Sequence, residues 1–207
     1  MKTNVITIPS NASLAEAKKT LDDNGILRLP VVDNGKLVGI ITNRRLDKYM
    51  PSKITTLSVW ELGYMLNKIT VKEVMERNVV TCSPETTAEE SLALAQRRKV
   101  GALIVVENDK VVGISTTNDF FYGIVNPVLG LGEGGCRIGI EGGGEGSQLE
   151  QILHIVNSQN IAIVNVYIYQ PSAIAKNAAI LHLASDNCEE IIRELTAKGF
   201  KVNLRKR

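Results

Sequence analysis

Aromatic side chains are scarce in this chain of 207 residues: one Trp, five Tyr and three Phe. So few rings leave nucleic-acid bases little to stack on. A charge bias is missing too, since 24 Lys and Arg stand against 22 Asp and Glu, and no broad field attracts a polyanion. Arg205-Lys206-Arg207 is the one dense basic run and reads as a solvated end. No apolar run approaches the ~18 residues of a spanning helix, and the first residues carry no signal-peptide core. The expectation is a cytoplasmic chain with neither nucleic acid nor membrane as partner.

Cysteine is sparse and follows no motif. Cys82, Cys136 and Cys188 are odd in number, widely spaced and free of metal-ligand spacing. They are expected to be separate buried thiols in a reducing compartment. His154 and His182 have no Cys or His at ligand spacing, so no metal site is expected. No Ser-His-Asp order is evident, and no catalytic residue is assigned.

What the chain does contain is a duplication. Residues 1–46 and 75–120 align without a gap at an offset of about 74, with about three pairs in ten identical. Asn4-Val5-Ile6-Thr7 matches Asn78-Val79-Val80-Thr81. The segment Val31-Val32-Asp33-Asn34-Gly35-Lys36-Leu37-Val38-Gly39-Ile40-Ile41-Thr42 matches Val105-Val106-Glu107-Asn108-Asp109-Lys110-Val111-Val112-Gly113-Ile114-Ser115-Thr116.

Each copy predicts a short strand (5–8; 79–82), then a helix started by a polar cap (14–23; 87–98). A hairpin follows (29–32 with 37–41; 103–106 with 111–115). Asn34-Gly35 is a tight-turn signal, because both central positions favour positive φ. A second helix closes each copy (45–49; 119–124), and a Thr near its N-terminal end offers a place for phosphate or ribose hydroxyls.

Between the copies, residues 57–66 have helical apolar spacing, with Ser58 and Glu61 forming a capping-box pattern. Trp60, Tyr64 and Met65 are read as its packing stripe. The second copy is introduced by Val71-Lys72-Glu73-Val74-Met75, whereas the first begins at the position matching Met75. Either the pair tolerates the missing lead-in or the true start lies upstream.

Residues 127–146 turn abruptly glycine-rich. Gly130-Leu131-Gly132-Glu133-Gly134-Gly135 matches a G-x-G-x-x-G string, but it neither follows a clear strand nor opens a helix. Beyond it the order is strand (136–140), helix (147–159), strands (161–169; 178–184), helix (188–198) and strand (200–204). This β-α-β-β-α-β order is ferredoxin-like. The expected fold class is thus α/β and α+β, in five parts: repeat 1 over 1–50, an inserted helical linker over 51–70, repeat 2 over 71–126, a Gly-rich linker over 127–135 and a C-terminal domain over 136–207.

The duplicated strand-strand-helix ending in Gly-hydrophobic-x-Thr-x-x-Asp resembles the cystathionine-β-synthase-type (CBS) domain pair, across residues 1–125. The wider order, with the inserted helix and a trailing unit similar to an ACT domain, resembles the acetoin-utilisation regulator (AcuB-type) family. The resemblance implies an intertwined disc with two clefts, each able to hold an adenine nucleotide. The second-repeat cleft would use Ile114, Thr116, Asn118 and Asp119, completed by Val5, Ile6, Thr7, Arg28 and Pro30. Asp119 would accept from the ribose hydroxyls, because an ionised carboxylate offers only acceptors. It could equally cap its helix. Arg44, with Arg45, would reach across toward phosphates.

In the first-repeat cleft the resemblance implies Thr42, Val79 and Thr81, with Arg45 at the Asp position. Arginine cannot accept a hydrogen bond, so this degenerate cleft is expected to be empty or altered. The ACT resemblance implies an amino-acid loop at Gly142, Gly143, Gly144 and Gly146, or sheet packing between copies. The function implied is a non-catalytic regulatory sensor with an adenine nucleotide (AMP, ADP, ATP or S-adenosyl methionine) as regulatory ligand and no obligatory cofactor. A homodimer and an unidentified regulated protein are its expected partners. The alternatives are a ligand-free oligomerisation module or a nucleotide-processing enzyme.

Overall fold

The computed structural model describes residues 1–49, 59–172 and 176–205. The chain divides into two compact units, Met1–Phe120 and Phe121–Arg207.

In the first unit, helix α1 (Leu14–Asp23) begins where Ser13 accepts from the Glu16 amide, and it buries Leu14, Ala17 and Leu21. The hairpin β1 (Arg28–Asp33) and β2 (Lys36–Thr42) follows, then the short α2 (Asn43–Leu46). Asn34 and Gly35 both take positive φ, as the Asn-Gly turn requires. After α3 (Val59–Lys68) and α4 (Val71–Val74), the second copy repeats the plan with β3 (Thr81–Cys82), α5 (Ala88–Arg98), β4 (Ala102–Glu107), β5 (Lys110–Thr116) and α6 (Thr117–Phe120). Thr87 and Glu90 close a capping box on α5.

The two copies exchange their leading residues. Lys2 pairs with Ile114 of β5 through reciprocal backbone bonds of 2.9 and 3.0 Å, and Glu76 pairs with Ile40 of β2 through two bonds of 2.9 Å. The lead-in of each repeat is thereby stitched to the other repeat's hairpin. Gly39 and Gly113 make room for it: a Cβ on Gly39 would meet the Met75 Sδ at 2.5 Å, and one on Gly113 would meet the Met1 Sδ at 2.9 Å. Val71, Val74 and Met75 accordingly bury in the same core as Leu21, Leu29, Ile41 and Leu46. Each such fully buried aliphatic side chain contributes about 1.5–3 kcal/mol.

The expected opening strands shrink under this exchange. Residues 5–8 keep only the parallel bridge of Ile8 to Val31, and the second copy keeps Thr81–Cys82, paired parallel with Ile104 and Val105. On α3 the expected stripe is corrected for two of its residues: Tyr64 and Met65 are exposed, and among the described side chains of the helix Leu66 is buried; the Trp60 side chain lies outside the described ones. Lys68 instead lies over the Tyr64 ring at 4.4 Å. The Ser58 cap falls outside the described residues.

In the second unit the helix expected to stop at 124 continues as a π-helical turn, Phe121–Val125, and then α7 (Asn126–Leu129). Pro127 sits in the first turn of α7, where its missing N–H costs least. Next come β6 (Cys136–Glu141), α8 (Gly146–Ser158), β7 (Ile163–Tyr169), β8 (Ala178–Leu183), α9 (Glu189–Ala197) and β9 (Lys201–Arg205). The sheet order is β7-β8-β6-β9, and its three pairings are antiparallel. With the β-α-β-β-α-β chain order, this is the ferredoxin-like topology. Ile138, Ile140, Leu181 and Leu183 pack with Ile152, Val156, Ile191 and Leu195 of α8 and α9.

The expectation of three separate thiols is corrected. Cys136 of β6 and Cys188, at the start of α9, are joined as a disulfide with Cα atoms 6.5 Å apart, and Cys82 is free. Their separation of 52 residues hid the pairing. Burial pushes the Cys82 thiol above its ordinary pKa, against the opposing hydrogen bond from Ser91.

The exchange predicts a contrast between two glycines. Gly39→Val, which sets a Cβ 3.0 Å from the Glu76 carbonyl, is expected to cost about 1–3 kcal/mol. Gly63→Ala lies on α3 with nothing within 4 Å of the added carbon and should stabilise by up to about 1 kcal/mol. Urea unfolding of the two variants checks both signs.

Candidate functional site

The two Thr elements stand in different surroundings. In the second repeat, Thr116 ends β5 and Asp119 lies on the first turn of α6. The Thr116 amide and hydroxyl both donate to Asp119 Oδ2, at 2.8 and 2.7 Å. Both bonds use one oxygen, which leaves Oδ1 open. Burial raises the Asp119 pKa, but the Thr116 hydroxyl and amide outweigh it, aided by the Met1 ammonium and Lys2. The net shift is below the ordinary carboxylate value.

Ile114 bonds Lys2, and Thr116 is partly buried and Asn118 exposed. Val5 and Ile6 are partly buried, Thr7 is exposed, and Pro30 is buried with its carbonyl accepting from the Ile8 amide.

The first-repeat cleft is an open cavity of about 480 Å³. Thr42, Asn43 and Arg44 line it from one repeat, and Val79, Val80 and Gly101 from the other. Arg28 and Asp47 are also at its wall. Arg28 and Arg44, assigned by resemblance to the second-repeat cleft, line this cavity. The Arg28 guanidinium lies so near Gly101 that a Cβ there would meet its Nη2 at 2.6 Å.

Arg45, the residue expected to spoil this cleft, is turned elsewhere. Its Nε donates to the Val74 carbonyl, and its guanidinium pairs with Glu76 at 3.2 Å. Thr42 caps α2 by accepting from the Arg45 amide at 3.2 Å. Thr81 is exposed on β3 and is not among the cavity-lining residues. Asp47 escaped the sequence reading because it lies two positions past the Thr-x-x-Asp register; only the turn after α2 brings it to the cavity.

In the second unit, the four loop glycines have different surroundings. Gly143 is buried against Ile140 and Ile152, and Gly144 packs against Ile168 and Asn177. A Cβ on Gly146 would meet nothing within 4 Å. Gly142, at φ +72°, lines a separate cavity on the sheet.

By comparison with protein families, the CBS domain matches residues 1–52 and 71–126. This chain belongs to the CBS-domain family. Its first unit is similar to the CBS pair of protein MJ0100 in complex with 5′-methylthioadenosine and S-adenosyl-L-methionine, at 31% identity and a TM-score of 0.50, covering 61% of this chain and 92% of that one. It is also similar to the Vibrio cholerae protein described as acetoin utilization protein AcuB, at 30% identity and a TM-score of 0.51, covering 63% of this chain and 90% of that one. Among curated proteins, the inosine-5′-monophosphate dehydrogenase of Korarchaeum cryptofilum is 34% identical over 137 residues, which is 65% of this chain and 26% of the dehydrogenase. The chain thus corresponds to about a quarter of that enzyme's length. No helix among the described residues is long and apolar enough to cross a membrane.

The depressed Asp119 pKa fixes the sign of a pH effect. A carboxyl held below its unfolded value contributes stability that is present above the unfolded pKa of about 3.9 and is lost as pH falls through the folded one. Asp119→Asn is expected to lower stability at pH 7 by about 1 kcal/mol, the net worth of a hydrogen bond. It should also flatten the wild type's decline below about pH 4. Chemical unfolding across pH 3–7 checks both.

Proposed function

We propose that this chain is a non-catalytic sensor whose CBS pair binds an adenosine-type ligand, AMP, ADP, ATP or S-adenosyl methionine, and passes occupancy to a partner or to its ACT-like C-terminal unit. The observation that carries the reading is the cavity of about 480 Å³ at the first crossing of the repeats, a volume within the range of small-molecule sites. Arg28 and Arg44 at its wall suit a phosphate, and Asp47 offers the acceptor that Arg45 cannot.

At the second crossing, Asp119 can keep its Oδ2 bonds to Thr116 while Oδ1 accepts from a ribose hydroxyl. The adenosine compounds bound by the MJ0100 pair support the ligand class. Occupancy shifts a conformational equilibrium only if the two states bind the ligand unequally. A cytoplasmic homodimer completes the reading: Val164, Val166 and Ile168 are exposed on the edge strand β7, where a second copy could cover them. The one observation favouring a ligand-free assembly module is that Asp119 is already bonded to the Thr116 amide and hydroxyl.

Thermal denaturation of the full chain with each adenosine compound separates the readings. A ligand at a hundredfold its Kd adds about 2.7 kcal/mol, or a few degrees. At least one compound is expected to shift the wild type, with Asp119→Ala abolishing the response at the second cleft and Asp47→Ala at the first. No shift with any compound would sink the sensor, and turnover of the compound would make the chain an enzyme.

A further inference from the structure

The sheet of the second unit carries α8 and α9 on the face of Ile138, Ile140 and Leu181. Alternate residues of a strand point the other way, so Gly139, Ala178 and Ile180 form the opposite face. There they floor a cavity of about 670 Å³. The charged residues lining it are three cations, Lys176, Lys201 and Arg205, and one carboxylate, Glu141. Glu141 is already taken by Lys201, at 2.8 Å. Lys176 and Arg205 have no carboxylate partner among the described residues. Arg205 instead bonds the Tyr169 hydroxyl and lies 5.6 Å from that ring's centre.

The far end of the same face shows what chemistry it holds. Arg137 and His182 stand opposite each other on β6 and β8. They donate to the chain's own carbonyls: Arg137 Nη2 to Gly130, and His182 Nε2 to Gly134 at 2.6 Å. A carbonyl only accepts, so His182 Nε2 carries the proton. His182 has no solvent exposure. At this end the glycine-rich segment thus presents two acceptor oxygens to built-in donors. At the other end Lys201 is paired with Glu141 and Arg205 gives one N–H to Tyr169, which leaves Lys176 and the remaining Arg205 donors without a carboxylate among the described residues.

We propose that the open end of this face binds a small organic acid: a carboxylate received by Arg205 and Lys176, with an apolar body laid against Tyr169 and Pro171, the exposed apolar lining above the buried Gly139, Ala178 and Ile180. The acid carries no ammonium group, because the one carboxylate among the described lining residues is engaged and an ammonium would face three cations. The volume is ample for such a ligand.

Phenylacetate is the probe, added to the 15N-labelled full chain while the backbone amides of Gly139, Gly142 and Asn203 are followed by NMR. A saturable shift confined to these and neighbouring cavity residues is expected. The neutral phenylacetamide should bind about tenfold more weakly, as loss of a charge-assisted contact requires, and L-phenylalanine about fivefold more weakly. Arg205→Gln should weaken phenylacetate about threefold with an otherwise unchanged spectrum. Equal affinity for acid and amide, tighter binding of L-phenylalanine, or no saturable shift would overturn the proposal. The comparison of ligands on the unaltered chain needs no variant.

Discussion

The exchange of lead-in residues between the two repeats is the constraint on which the first unit depends. Lys2 is bonded to the second hairpin and Glu76 to the first, so the edge strand of each hairpin is bridged by a residue of the other repeat. The same crossing makes the first-repeat cavity, because it brings Val79 and Val80 of one copy against Thr42 of the other. Gly39 and Gly113 are identical in the two copies for a steric reason: each faces a methionine from the opposite lead-in. The fold of this unit and the walls of its cavity share one set of contacts.

A duplicated scaffold need not keep duplicated chemistry. Thr42 and Thr116 occupy matching positions, yet one caps a helix by accepting from Arg45 and the other donates to Asp119. The exchange decides where Arg45 goes, since Val74 and Glu76, its partners, both belong to the second copy's lead-in. An arginine that the motif alone would place in the cleft is thereby drawn off the wall, and Arg44 and Asp47 line it instead.

Much of the fold was legible because its signals are local. Caps at Ser13 and Thr87, the Asn34-Gly35 turn and period-two strands in both units set element boundaries to within a few residues. The features that escaped the sequence are contacts between distant residues. The crossing pairs Lys2 with Ile114, and the disulfide joins Cys136 to Cys188. The π-helical turn past Phe120 extended a helix that periodicity ended at 124. The glycines after Leu129 read as a linker, yet Gly130 and Gly134 receive hydrogen bonds from Arg137 and His182. Of the site, Thr42, Val79, Thr116 and Asp119 came from the repeat; Asp47 needed the turn after α2.

The central claim is that the crossings of the repeats are where an adenosine-type ligand binds. Hydrogen–deuterium exchange of the full chain, measured with and without saturating AMP, ATP, S-adenosyl methionine or 5′-methylthioadenosine, tests it most directly. At least one compound should slow exchange at the amides of Ile40, Glu76 and Ile114 and in residues 42–47 or 116–119. Unchanged exchange at all of these with every compound, or slowing confined to residues 121–205, would contradict it.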